Sequence, residues 1–204
     1  MTTLLYINAS PNSDSVSDQG AQFFLDALKD HVITQRVDLF QTELPEVNNK
    51  ITSAKFKFVT GMDLNQEEEQ QWAPVIRMVE QLKGADYFLL AVPMWNFGIP
   101  YKLKHYIDLV NHPGLTFTRD ENGPRGLVKG SATVIYSRGG DYSRKDDQPD
   151  PLDFQSTYLI AWLTSIGVSP VNEILLQNTM LGPNTVKENL ELVREKLHVL
   201  AKAL

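Results

Sequence analysis

A doubly wound α/β fold, a parallel sheet with helices on both faces, is predicted by three features of the sequence. Short apolar runs alternate with segments of helical period, the mark of βαβ units. One run, Tyr87-Phe88-Leu89-Leu90-Ala91-Val92, is apolar throughout, as a strand buried on both faces should be. The loops after the apolar runs carry hydroxyls, amides, aromatics or paired glycines. Sheets of this class bind ligands at the carboxyl ends of their strands, which is where those loops fall.

The elements follow in order. A strand is expected over residues 3–8, then a polar stretch over 9–17. Residues 18–31 place Phe24, Ala27, Leu28 and His31 at helical spacing. A second strand covers 32–39, with weaker alternation. Residues 40–65 lack a clean period and read as an insertion over the sheet. Trp72, Val75, Val79 and Leu82 share one helix face, with Gly84 as its C-cap. Pro74 inside that pattern implies a kink or a fresh helix start. Beyond the central strand at 87–92, residues 101–110 read as a helix and 131–136 as a strand. A helix over 154–165 has Phe154, Tyr158, Ala161, Trp162 and Ser165 on one side. A last strand covers 168–176, and Val186, Leu190, Val193, Leu197 and Leu200 make the stripe of a C-terminal helix. About five strands and five helices result, in a single domain over residues 1–204.

Composition narrows the chemistry. The chain has 204 residues, 42% of them hydrophobic and 22% charged, enough for a sizeable core and too apolar for disorder. Its net charge of −6 argues against nucleic acid, which needs a basic face, and leaves small anionic ligands open. Cysteine is absent, which removes disulfides, thiolate catalysis and thiolate metal sites, so electron transfer would need an organic cofactor. The run Leu4-Leu5-Tyr6-Ile7 is too short for the apolar core of a signal peptide, and no stretch approaches the ~18 apolar residues of a membrane span. A cytoplasmic location is expected.

Three loops could carry function. The first reads Ala9-Ser10-Pro11-Asn12-Ser13-Asp14-Ser15-Val16-Ser17 and leads into a helix N-terminus. Unpaired N–H groups and the helix dipole favour an anion there, and Ser10, Ser15 and Ser17 could add hydroxyl donors to a phosphate. The same serines would also serve as a plain N-cap. The second loop, Pro93-Met94-Trp95-Asn96-Phe97-Gly98-Ile99-Pro100, suits a flat aromatic ligand: Trp95 and Phe97 offer apolar area, and Asn96 donates and accepts hydrogen bonds. It could equally be a tucked hydrophobic turn. The third, Ser137-Arg138-Gly139-Gly140, has glycines that permit positive φ and close backbone approach, or a flexible link into the polar stretch 141–150.

Other motifs fail. No G-x-G-x-x-G, Walker or G-x-S-x-G pattern occurs. His31, His105, His112 and His198 show no metal-ligand spacing, and His31 and His198 are placed on helices as structural residues. Only His112 falls near the edge of the expected site, without a catalytic role assigned to it. The run Glu67-Glu68-Glu69 reads as a solvated face or a helix start.

Taken together the three loops resemble those of the FMN-dependent NADH azoreductases, within the flavodoxin-like quinone oxidoreductases. The likeness continues through Leu103-Lys104, Tyr106-Ile107-Asp108-Leu109-Val110, Gly114-Leu115-Thr116-Phe117, Glu121-Asn122-Gly123-Pro124 and Gly126-Leu127. It covers most of the chain and is strongest over 91–140. The resemblance implies a flavodoxin-like five-stranded sheet of order 2-1-3-4-5 and a homodimer with FMN at the subunit interface. It assigns Ser10, Ser15, Val16 and Ser17 to the phosphate, Met94, Trp95, Asn96 and Phe97 to the isoalloxazine, and Ser137, Arg138, Gly139 and Gly140 to the ring's polar edge. It implies ping-pong hydride transfer from NADH or NADPH through flavin N5 to quinones and aromatic azo compounds. No side chain is obliged to act as acid or base, so no catalytic residue is assigned. A flavodoxin-type electron carrier or a flavin-binding module without turnover is the alternative. The chain departs from the family at Trp95, commonly Tyr, in a shorter first loop with Pro11-Asn12, and at Thr118-Arg119-Asp120, where relatives often place an aromatic. These departures bear on acceptor preference.

Overall fold

The computed structural model describes residues 1–121, 123–144, 148 and 150–204. Asn122 and parts of the polar stretch 141–150 lie outside the described residues. In chain order the elements are β1 (Thr2–Asn8), α1 (Val16–Asp26), β2 (Val32–Asp38), α2 (Asn49–Thr60), α3 (Gln66–Lys83), β3 (Tyr87–Pro93) and α4 (Tyr101–Val110). They continue with β4 (Phe117–Asp120), β5 (Gly123–Gly126), β6 (Ser131–Ser137), α5 (Phe154–Ile166), β7 (Val171–Leu176) and α6 (Pro183–Lys202). A 3-10 turn, Thr179–Leu181, precedes α6.

Five parallel strands form one sheet in the order β2-β1-β3-β6-β7, the expected 2-1-3-4-5 arrangement. Successive side chains of a strand point to opposite faces, so each buried strand feeds two cores. Leu4, Tyr6, Leu89, Ala91 and Ile135 face α1 and α6. Leu5, Ile7, Leu90, Val134 and Tyr136 face the other layer, α2 to α5. In the ladder Asn8 pairs with Ala91 and Ala91 with Ile135. The three central strands therefore end nearly level, and their loops open side by side.

The structure corrects several sequence expectations. Residues 40–65 hold a regular helix, α2, capped by the Asn48 side chain at one end and by left-handed Gly61 at the other. Only Ile51 and Ala54 of α2 are buried, too few to leave a visible period. Helix α3 runs unbroken through Pro74, so there is no fresh start; it begins at an Asn65/Glu68 capping box, with Glu67-Glu68-Glu69 in its first turn. Helix α1 ends at Asp26, which leaves His31 outside it, with its Nε2 3.1 Å from the Leu204 carbonyl oxygen. Strand β7 starts at Val171, behind Pro170, which has no N–H to donate. An antiparallel hairpin, β4 with β5, adds a second small sheet.

Helix α5 presents a different face from the expected one, with buried Trp162 common to both. Gln155, Ser156, Leu159, Trp162, Leu163 and Ile166 are buried, while Phe154, Ala161 and Ser165 are exposed. Apolar residues surround this helix, so period alone cannot select its inner face. Its polar N-terminus does so instead, through a buried network. Arg138 and Asp153 are 1% and 4% exposed and form a two-oxygen ion pair at 3.0 and 2.9 Å. The guanidinium also donates from Nε to Gln155 Oε1 at 2.9 Å and from Nη1 to the Tyr142 carbonyl at 3.3 Å. Asp153 in turn caps α5, accepting from the Ser156 N–H at 2.9 Å and its hydroxyl at 2.5 Å. Gln155 Nε2 donates to the Val92 carbonyl at 2.9 Å. One buried cluster thus ties the ends of β3 and β6 to the start of α5.

Removing one partner of a buried pair strands the other charge without solvent. Arg138→Met is therefore expected to cost about 3–5 kcal/mol of stability. Arg138→Lys should recover only part, because an ammonium cannot span Gln155, Tyr142 and Asp153 at once. Urea unfolding midpoints check this, and a loss under about 1 kcal/mol for Arg138→Met would show the pair to be dispensable.

Candidate functional site

The first loop leaves β1 with its backbone held from below. Asn8 Nδ2 donates to Asp38 Oδ1 at 2.8 Å, and Asn8 Oδ1 accepts the Ser10 N–H at 3.1 Å. The Ser10 hydroxyl accepts the Asn12 N–H at 3.4 Å. Ser15 occupies the N-cap position of α1, yet its side chain makes no capping bond. Its hydroxyl lies 3.0 Å from that of Ser17, and both are buried. The N–H groups of Val16, Ser17 and Asp18 precede the first intrahelical bond, from Gln19 to Ser15, and meet no protein acceptor among the described residues. Three unpaired donors, two hydroxyls and the positive end of a helix converge there, which is the chemistry of a phosphate site.

The third-strand loop is a tight turn. Trp95 and Gly98 exchange N–H to carbonyl bonds at 3.0 Å in both directions. The two residues between them, Asn96 at φ 47° and Phe97 at φ 70°, lie in the left-handed region. Asparagine tolerates that conformation, whereas phenylalanine is strained in it. The Asn96 and Phe97 N–H groups have no protein partner among the described residues. Met94 fixes the turn to the next loop, donating its N–H to the Ser137 carbonyl at 2.8 Å. The aromatics diverge: Trp95 packs with Phe40 and Tyr101 at ring distances of 5.6 and 6.3 Å. Phe97 reaches Tyr142 at 6.3 Å, edge to face.

In the loop after β6 the polarity of the backbone is sorted by its neighbours. The carbonyls of Arg138, Gly139 and Gly140 accept the N–H groups of Thr179, Met180 and Asn178 at 3.0, 3.3 and 3.1 Å. The Gly139 and Gly140 N–H groups have no protein partner among the described residues. Neither glycine has a positive φ, so the conformational freedom expected of them is not used here. A Cβ on Gly139 would sit 2.8 Å from the Met180 sulfur, and one on Gly140 3.5 Å from the Tyr142 ring. Arg138 points away from the loop's open side into the buried network; Ser137 is buried at the strand end.

All twelve expected site residues therefore lie along one edge of the sheet, but they play unequal parts. The backbone N–H groups of 16–18, 96–97 and 139–140 have no protein acceptor among the described residues. Arg138 supports from beneath, and Trp95 turns toward α4. Sequence reasoning missed Tyr142, Asp153, Gln155 and the 178–180 segment. An aspartate just before an apolar helix was a legible cap signal for Asp153; no local signal marked the others. His112 is 2% exposed, packs 5.0 Å from Trp72, and has no hydrogen-bond partner on either ring nitrogen. Burial first, and the nearby Lys55 charge second, push its pKa down to about 4. Among the described residues no group of His, Asp or Glu could hold a metal ion, and no helix is long and apolar enough to cross a membrane.

Known proteins resemble this chain in sequence and fold. A family model described as the flavodoxin-like fold matches residues 2–200. An FMN-dependent NADH:quinone oxidoreductase of Desulfotalea psychrophila is 40% identical over all of this chain and 98% of its own length. A second enzyme of that name, from Pseudomonas fluorescens, is 37% identical with the same coverage of both chains. An azoreductase of Bacillus anthracis superposes with a TM-score of 0.88 at 26% identity over the full length of both chains. An FMN-dependent NADH-azoreductase of the same species, solved in complex with FMN, has a TM-score of 0.86 at 27% identity over 98% of this chain and 100% of its own. The chain belongs to the flavodoxin-like family of FMN-dependent NADH:quinone oxidoreductases.

Proposed function

We propose that this protein is an FMN-dependent NADH:quinone oxidoreductase that also cleaves aromatic azo compounds to amines. The observation that carries the reading is the set of unpaired backbone donors at three neighbouring strand ends, in a chain of this family. The loops fit the cofactor group by group. The Val16, Ser17 and Asp18 N–H groups with the Ser10, Ser15 and Ser17 hydroxyls suit its phosphate. Met94, Trp95 and the Asn96–Phe97 turn suit one side of the ring, and the Gly139 and Gly140 N–H groups suit its carbonyl edge. Ser137 and Arg138 hold that edge loop in place. When bound, FMN supplies a two-electron carrier between NADH or NADPH and an acceptor.

The chain's own work is binding, orientation and exclusion of water. A quinone takes two electrons and two protons; an azo bond takes four of each, in two rounds, to give two amines. Nicotinamide and acceptor take the same place at the ring in turn. Solvent meets the proton demand, and no side chain is assigned as acid or base. Two copies of the chain are expected to pair, because the outward face of α5 around Phe154, Tyr158 and Ala161 adjoins Ile99 in one largely apolar hollow.

Purified protein should be yellow, or become so with FMN. Ser17→Ala should weaken FMN binding by roughly 10- to 150-fold, the worth of one hydrogen bond to a charged group. An unchanged dissociation constant would reduce Ser17 to a helix residue.

Double-reciprocal plots of NADH oxidation at several fixed quinone concentrations should be parallel, and NADH alone without oxygen should bleach the flavin band. Intersecting lines would mean separate donor and acceptor pockets. Bleaching without turnover on quinone would instead favour the electron-carrier reading.

Sedimentation should give a particle of about twice the 23.0 kDa chain mass. A monomer at micromolar concentration that turns over quinone would overturn the pairing.

A further inference from the structure

A charged cluster adjoins the first loop through Asn8, whose amide donates to Asp38 Oδ1 at 2.8 Å. Its centre is Arg36 on β2, directly across the ladder from Tyr6 of β1. The guanidinium stands over the Tyr6 ring, 5.0 Å from the ring centroid. It donates to Asp38 from Nε at 2.8 Å and from Nη2 at 3.2 Å, and Nη2 lies 3.7 Å from Asp18 Oδ1. The buried Tyr6 hydroxyl donates to the same Asp18 oxygen. Burial first, and that bond second, push the Tyr6 pKa well above its ordinary value, so the phenol stays a donor.

The cluster meets the phosphate site at two points. Asp18 offers one of its three free N–H groups and carries a carboxylate in the first turn of α1. Asp38 holds Asn8, which in turn accepts the Ser10 N–H at 3.1 Å. The charges here do not balance. Asp18 and Asp38 carry two negative charges against the one positive charge of Arg36. Residues 9–19 add Asp14 and contain no Lys or Arg. The Asp18 side chain is only 14% exposed, so water screens its charge poorly. A phosphate monoester is close to a dianion at neutral pH, and like charges repel. Neutral N–H and hydroxyl donors must therefore hold it against a carboxylate on their own helix.

We propose that Arg36 is a positioning residue of the phosphate site, which screens the Asp18 carboxylate and holds it back, and so sets the preference of the protein for FMN over riboflavin. The proposal deepens the oxidoreductase reading and rests on it for the identity of the phosphate-bearing ligand. Arg36 acts through Asp18, since its Nε and Nη2 are directed at the two carboxylates.

The test titrates full-chain protein, freed of flavin, with FMN and with riboflavin, and follows flavin fluorescence. Arg36→Met should weaken FMN by roughly 3- to 30-fold and riboflavin by no more than about twofold. The Arg36 side chain is 42% exposed, so its loss leaves no buried cavity. Arg36→Lys should keep most of the FMN affinity. Adding Asp18→Asn to Arg36→Met should recover most of the loss, because the amide still accepts from Tyr6 and carries no charge. Equal losses of FMN and riboflavin would make Arg36 merely structural and overturn the proposal. So would an unchanged FMN affinity, or a loss that Asp18→Asn does not recover, which would put Arg36 on the phosphate itself. Each of these outcomes leaves the oxidoreductase reading standing. Wild-type protein that takes up neither flavin removes that reading, and phenyl phosphate then decides the proposal. Binding of phenyl phosphate that Arg36→Met weakens and Asp18→Asn restores supports the charge screen; anything else overturns it.

Discussion

The buried guanidinium of Arg138 is the constraint on which the site geometry depends. A charge removed from water must be met by partners in fixed directions, and here they come from three parts of the chain. Asp153 answers with both oxygens, Gln155 with its amide oxygen and Tyr142 with its carbonyl. Gln155 then passes the constraint on to the end of β3 through Val92. A sheet ladder alone sets strands side by side but leaves the loops beyond them free. This network ties the end of the β3–β6 ladder at Val92 to Arg138, the first residue beyond β6, and to the start of α5.

From that frame the polarity of the loops follows by exclusion. The 178–180 segment takes up the carbonyls of residues 138–140, so that loop can offer only N–H groups. The Trp95–Gly98 turn uses its end groups on itself and leaves the N–H groups of its two strained residues outside. Helix α1 leaves its first donors unpaired by geometry. The edge of the sheet is thus lined with donors, one end of it reinforced by a helix dipole. Such an edge prefers a ligand with a phosphate at one end and carbonyl or ring-nitrogen acceptors at the other. The positive φ of Phe97 is the cost of that arrangement, borne where a ligand rather than the protein benefits.

How much of this was legible in the sequence varied with the range of the cause. Helix α4 matched its expected bounds because Pro100 and the apolar run beneath it are local signals. The central strands were legible for the same reason. Helix α2 was not, since most of its apolar residues, Phe56, Phe58 and Val59 among them, face solvent and blur any period. The inner face of α5 was misread because its polar residues, Gln155 and Ser156, are the ones buried, held by an arginine on another loop. The site loops stood out by composition, yet nothing in Ser137-Arg138-Gly139-Gly140 says that the arginine turns inward. Its reason is Asp153, fifteen positions on, and only the fold brings the two together.

A division of labour follows from which groups are left without protein partners. The donors along the sheet edge are backbone N–H groups, and a backbone donor survives substitution of its own side chain. Cofactor binding built this way tolerates wide divergence, which agrees with a fold kept at a TM-score of 0.88 with only 26% identity. Side chains sit at the margins of that edge: Trp95 is packed toward α4 and Tyr142 lies across from Phe97. The coarse function of the chain therefore resides in main-chain geometry shared with its relatives. The exposed aromatics Trp95 and Phe97 contribute side chains that stand apart from that shared geometry.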